Sequence, residues 1–263
     1  MKRMKVMGLA LVAVFAIGAI AAGSAFALPE VGRCVAKAGG KYTESNCVTK
    51  AKVGTGTFEF VKGAVKTGFT SVGGEGVLEG ASGTNVVCLT QKAKGKYDAD
   101  GTAGAIKGVE DVVSTFEGCS IPTIGIACNT KGQASGVIVT STLEGNLGYI
   151  NKAKKEVGQE LHPKLKGGAF AEFECGGGAV TIVTQSEKTN CIIAPVAPVN
   201  VFATTIGQKY ETTGGGHQKT THFEKTPTKI CQLESSVNGG ARELSGQVLE
   251  TTVTNEEPLE VKA

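Results

Sequence analysis

"AFAEFEC", residues 169–175, alternates with a period of two: Ala169, Ala171, Phe173 and Cys175 fall on one side, Phe170, Glu172 and Glu174 on the other. Successive side chains of a strand point to opposite faces, so this pattern marks a half-buried β-strand and is incompatible with the 3.6-residue period of a helix. "GTFEFV" (56–61) repeats it, with Phe58 and Phe60 against Thr57 and Glu59. "GVIVTSTLEG" (136–145), "AVTIVTQ" (179–185), "VNVFATTI" (199–206) and "GQVLETTVTN" (246–255) are rich in the β-branched residues that strands favour. Glycine-rich turns such as "SVGGEG" (71–76), "CGGG" (175–178) and "VNGG" (237–240) separate these runs. Many short strands with frequent turns predict an all-β protein, an antiparallel sandwich or barrel with little helix. Only "INKAKKEVGQELHPKLKG" (150–167) departs from this texture. Gly158 and Pro163 would interrupt a long helix, so the segment reads as a surface excursion between two strands.

The first 27 residues have a different character. Lys2, Arg3 and Lys5 precede an apolar run from Val6 to Ala22, and Ala25-Phe26-Ala27 supplies a small-residue cleavage site. These are the three parts of an export signal peptide, which places a secreted β-rich region at 28–263. That region is long enough for one large β domain or two smaller ones, with the boundary near 124–136 in the second case. Removing the leader takes away three of the 27 basic residues and none of the 24 acidic ones, leaving equal numbers. A formally neutral chain carries no electrostatic footprint for nucleic acid or for an anionic membrane. The expected destination is the medium or the cell envelope.

All eight cysteines (Cys34, Cys47, Cys88, Cys119, Cys128, Cys175, Cys191 and Cys231) follow the leader. An even number in an exported chain predicts a disulfide framework, and no C-x-x-C or C-x-x-H pair is present to suggest zinc. Sequence alone leaves about 105 ways to pair eight cysteines. The spacing suggests Cys34 with Cys47 and Cys119 with Cys128 as local loops, then Cys88 with Cys175 and Cys191 with Cys231.

"LPEVGRCV", the "GKY" units, "TFEGC", "LEGNLGYI", "AFAEFECG" and "TNEEPLEV" give the chain a further likeness. It resembles a group of uncharacterised exported β-rich proteins of soil actinobacteria along nearly its whole length after the leader. The resemblance implies membership and brings no activity, cofactor or site with it.

Catalytic chemistry finds little support. His217 and His222 in "GGGHQKTTHFEKT" (214–226) are five apart, a spacing that puts them on opposite faces of a strand and builds no shared metal face. His222 and Glu224 could share a face, yet a turn leading into a polar edge strand explains the stretch. His162 precedes a proline and reads as exposed. Glu172 and Glu174 stand side by side as a glycosidase pair might, but the apolar alternates Phe173 and Cys175 turn them to solvent. "YDADGTAG" (97–104) lacks the later ligands of a calcium loop and reads as a hairpin turn. No serine elbow, phosphate loop or dinucleotide fingerprint occurs.

The primary expectation is therefore a non-enzymatic extracellular protein without cofactor or metal, structural or surface-interacting. The alternative is a binding module or carrier for a small apolar ligand or an envelope glycan. The absence of tryptophan and only four tyrosines weigh against glycan. A carrier would have a cavity lined by residues such as Phe58, Phe60 and Phe116, where a structural protein would pack them solidly. A hydrolase using Glu172, Glu174 or His222 ranks last. An outer-membrane barrel is disfavoured by the cysteines and by the lack of aromatic girdles.

Overall fold

The computed structural model describes residues 28–62, 68–99, 106–185, 190–224 and 229–263. The leader expected over 1–27 lies outside these residues, as does the part of the "YDADGTAG" turn from Asp100 onward. Among the described residues there are strands and no helix. In chain order they are β1 (Glu30–Gly40), β2 (Gly56–Lys62), β3 (Gly68–Gly73), β4 (Gly76–Gly80), β5 (Asn85–Cys88) and β6 (Thr90–Ala99). Then come β7 (Ile106–Glu117), β8 (Ser120–Ile121), β9 (Ile126–Asn129), β10 (Val137–Val139), β11 (Leu143–Asn151) and β12 (Glu156–Pro163). The last six are β13 (Ala171–Cys175), β14 (Val180–Thr184), β15 (Ile192–Ala197), β16 (Phe202–Tyr210), β17 (Leu233–Val237) and β18 (Glu243–Lys262).

Of the two architectures the sequence allows, the chain adopts the barrel. Antiparallel pairing runs β3, β6, β7, β11, β12, β15, β16, β18 and back to β3, closing eight strands on themselves. Closure leaves this sheet without an unpaired edge. A second antiparallel circuit runs β4, β5, β8, β9, β13, β14, β17, β18. The 20-residue β18 belongs to both: Ser245–Val248 pair with β4, and Thr251–Asn255 pair with β3. Residues 124–136, the boundary expected from sequence, hold the β8–β9 turn, β9 and the loop to β10, and β9 is part of the second circuit.

Alternation sets which side chains fill the barrel. On β18 Leu249, Thr251, Val253 and Asn255 are buried, while Glu250, Thr252, Thr254 and Glu256 face outward. On β6 Gln91 and Tyr97 are buried and the intervening Lys92 and Lys94 are not. Tyr97 packs against Phe69 with ring centroids 5.2 Å apart and donates a 2.8 Å hydrogen bond to Asn255 Oδ1. Two large apolar clusters result, besides a small one of Cys191, Ile193 and Cys231. One centres on residues such as Val112, Leu147, Leu161, Ile192 and Leu259, the other on Phe173, Ile138, Ile182 and four half-cystines.

Four corrections to the sequence reading follow. The supposed excursion at 150–167 holds a barrel strand, β12, whose inward residues are Val157, Gln159 and Leu161. Its alternation is obscured because an amide sits at one inward position and the outward Glu160 is buried as well. The "HFE" stretch forms no edge strand; residues 211–224 run irregularly, with one isolated bridge between Thr212 and Gln218. Phe170 precedes β13 and escapes its alternation, ending buried with Phe173.

The fourth concerns the disulfides. Cys34–Cys47 and Cys191–Cys231 form as the spacing suggests, but the other four pair as Cys88–Cys119 and Cys128–Cys175. Strand order is the reason. β5 lies beside β8, with Val87 opposite Ser120, and β13 lies beside β9, with Cys175 directly opposite Cys128. Cys119 and Cys128 flank the β8–β9 hairpin, and each bonds outward to the next strand instead of across it.

Candidate functional site

The residues that sequence singles out for chemistry are dispersed over the outside. His217 and His222 are exposed, and His222 Nδ1 contacts the neighbouring Thr221 hydroxyl at 3.2 Å. The Glu224 carboxylate serves the backbone, accepting the Lys152 N–H at 2.6 Å in the β11–β12 turn. Glu172 is exposed and Glu174 half-exposed on β13, while Phe173 and Cys175 point inward, as the alternation predicts.

His162 is less exposed than expected. Its Nδ1 lies 3.2 Å from Glu160 Oε1 and its Nε2 3.5 Å from Glu144 Oε1. Glu160 is nearly buried and also meets Lys229. Burial pushes the Glu160 carboxyl up, but His162 and Lys229 outweigh it and hold the group below the ordinary carboxylate range. The Cys191 and Cys231 sulfurs come within 4.8 Å of the Glu160 carboxylate, a cluster with metal-ligand composition. Both sulfurs are bonded to each other, so neither can bind a cation as thiolate. The arrangement is an ion-paired patch on the barrel wall.

The concave feature lies inside. A cavity of about 120 Å³ extends through the barrel where the two strand circuits meet. A single water needs about 10–15 Å³, and an apolar cavity of about 150 Å³ admits benzene. Phe69, Phe116, Phe170, Phe173 and Tyr210 supply its aromatic lining. Of the three phenylalanines named from sequence, Phe116 lines the cavity and the other two do not. Phe58 and Phe60 belong to the β1–β2 hairpin outside the barrel, where the Phe60 ring covers Gly32.

The polar part of the lining carries amides and hydroxyls, among them Ser71, Gln91, Gln159, Gln208 and Thr251. No Asp, Glu, Lys, Arg or His is among the described residues that line it. The Tyr210 phenol is shifted far upward by complete burial and stays neutral. Such a lining can exclude water and donate or accept hydrogen bonds, and among the described residues that form it no carboxylate, imidazole or amine stands beside its hydroxyls. The sequence signal for these residues is present in "TQKAKGKY" (90–97): lysines on one face of β6 imply that Gln91, Ala93, Gly95 and Tyr97 form the inward one.

Compared with known protein families, with curated proteins and with solved structures, the chain matches none.

Proposed function

We propose that this chain is an exported, non-enzymatic barrel protein that carries a small neutral apolar molecule in its interior. The observation that supports the reading is the cavity: aromatic and aliphatic side chains surround a space of benzene-like size, and among the described residues no group that could perform acid–base chemistry at neutral pH lines it. The distribution of charge agrees with a barrel bathed in water. Lys92, Lys94, Lys96, Glu110 and Glu250 alternate with inward residues along the wall, the reverse of a barrel whose outer band faces lipid. Export is supported by the leader-like segment at 1–27 and by the pairing of every cysteine, which suits an oxidising compartment.

The test is a thermal melt of the disulfide-bonded protein with and without saturating toluene. A molecule that binds only the folded state raises Tm. Toluene is expected to raise it in the wild type and to lose that effect in Ala93→Leu, which adds bulk at the cavity wall. An unchanged Tm in the wild type, with toluene and with a hydroxylated analogue of it alike, would remove the carrier reading and leave a durable structural protein stapled by four disulfides.

A further inference from the structure

Strand register brings polar residues of the cavity wall onto one line. Gln208 of β16 stands opposite Thr251 of β18, Thr251 opposite Gly73 of β3, and Gly73 opposite Gln91 of β6. Neighbouring strands are about 4.8 Å apart, so Thr251 and Gln91 lie roughly 10 Å apart along the wall. Gly73 between them carries no side chain, and a Cβ there would come 3.0 Å from the Glu250 carbonyl oxygen, Leu249 Cδ1 and Thr251 Cγ2.

Gln91 is 3% exposed and Thr251 4%. Gln91 Oε1 and Thr251 Oγ1 are both buried, and neither has a hydrogen-bond partner among the described residues. The Gln91 amide nitrogen makes one long contact, 3.5 Å to Ser114 Oγ. Buried polar atoms in folded proteins nearly always have partners, so two orphans on residues that line one cavity, on one rung, require an account.

We infer that this rung, Gln91 and Thr251 flanking Gly73, recognises a hydroxyl group on the bound molecule, so that the ligand is a small neutral alcohol or phenol with an apolar body. The inference rests on the carrier reading and narrows it. A hydroxyl both donates and accepts, so it can give its proton to Gln91 Oε1 and accept one from Thr251 Oγ1. A pure hydrocarbon would leave both orphans as they are. A carboxylate or ammonium would enter an uncharged lining with no counter-ion, which disfavours the ionised form heavily. The aromatic side chains that line the cavity suit a ring-sized body.

Three probes of nearly equal shape separate these cases: toluene, benzyl alcohol and benzoate, titrated calorimetrically into the disulfide-bonded protein at pH 7. Benzyl alcohol is expected to bind at least as tightly as toluene, and benzoate at least 100-fold more weakly than either. Thr251→Val and Gln91→Leu keep the side-chain volume and remove one orphan each. Each is expected to weaken benzyl alcohol by roughly fivefold while leaving toluene within about twofold. Toluene binding tenfold or more tightly than benzyl alcohol, benzoate matching the alcohol, or variants that weaken both neutral probes alike would each overturn the assignment while sparing the carrier reading. Failure of toluene and benzyl alcohol together would sink the carrier reading itself.

Discussion

Lys262 Nζ stops 3.7 Å from Glu260 Oε1, close enough for an ion pair but too far for a hydrogen bond, and both Glu260 carboxylate oxygens are buried without a hydrogen-bond partner. The two residues sit on the outward side of β18 beneath the β1–β2 hairpin. Gly32 is opposite Glu260, and Lys262 also lies over the Tyr42 and Phe60 rings at 4.7 and 5.7 Å. Burial raises the Glu260 carboxyl to about 7, with Lys262 opposing the shift. The same burial lowers the Lys262 ammonium.

A pH dependence follows from the sign of that shift. The folded state holds the Glu260 proton to about pH 7 and the unfolded state releases it near the ordinary value of 4.5, so folding is favoured below 4.5 and loses this contribution as pH rises to 7. Glu260→Gln removes the dependence. In urea denaturation the variant is expected to match the wild type near pH 4 and to exceed it above pH 7 by roughly 3 kcal/mol. Parallel stability curves for the two proteins would show that Glu260 is not the group responsible.

The Cys128–Cys175 and Cys88–Cys119 bridges link neighbouring strands of the second circuit and lie within its apolar cluster. Peptide mapping without reductant is expected to recover these two cross-links and no Cys119–Cys128 peptide. Replacing Cys128 and Cys175 together by alanine is expected to lower stability by about 2–4 kcal/mol. Recovery of the Cys119–Cys128 pairing would contradict the strand order β5–β8 and β9–β13.

Gly145 marks the tightest approach in the wall. A Cβ there would fall 1.7 Å from the Glu160 carbonyl oxygen on β12, and the register with β7 shifts between Leu143 and Gly145. Glycine in a strand interior often permits such a bend at a barrel corner. Gly145→Ala must separate two backbones and is expected to cost several kcal/mol, more than the few tenths to 1 kcal/mol of an ordinary glycine replacement. Gly74→Ala, with nothing within 4 Å of its Cβ, is the control. Equal melting temperatures for the two variants would refute the close approach.

Gln218 secures the irregular segment that carries His217 and His222. Its side chain donates to the Glu211 and Gln247 carbonyls and accepts the Gln247 N–H, and its own N–H donates to Gln232 Oε1. Gln232 in turn donates to the Gly216 and Ser245 carbonyls. Gln218→Leu takes the side-chain acceptor from the Gln247 N–H and leaves the Glu211 carbonyl with only the Lys219 N–H; it is expected to cost about 2–4 kcal/mol and to expose the Gln247 amide to hydrogen exchange. His217→Ala and His222→Ala are expected to change stability by less than about 0.5 kcal/mol. A large effect from either histidine, with none from Gln218, would reverse this assignment.

Much of this protein is readable in its sequence because strand periodicity is local. The alternation at 169–175 and 56–61, the β-branched runs and the glycine turns settle the class as all-β, and Phe173 with Cys175 already declares which face of β13 is inward. Cys34 and Cys47 are close along the chain and meet for that reason. Beyond this, placement depends on which strands become neighbours, and that is decided between segments far apart in sequence. Closure brings β18 against β16 and β3, which puts Thr251 and Gln91 on one rung although 160 positions separate them. It likewise sets Cys175 opposite Cys128 and buries Glu160 on an outward position of β12, where local pattern implies solvent. Sequence by itself determines what each segment can be, since backbone sterics and alternating polarity act over a few residues. Only the tertiary structure decides what the segments enclose, because a cavity belongs to the register of many strands at once and to no one of them.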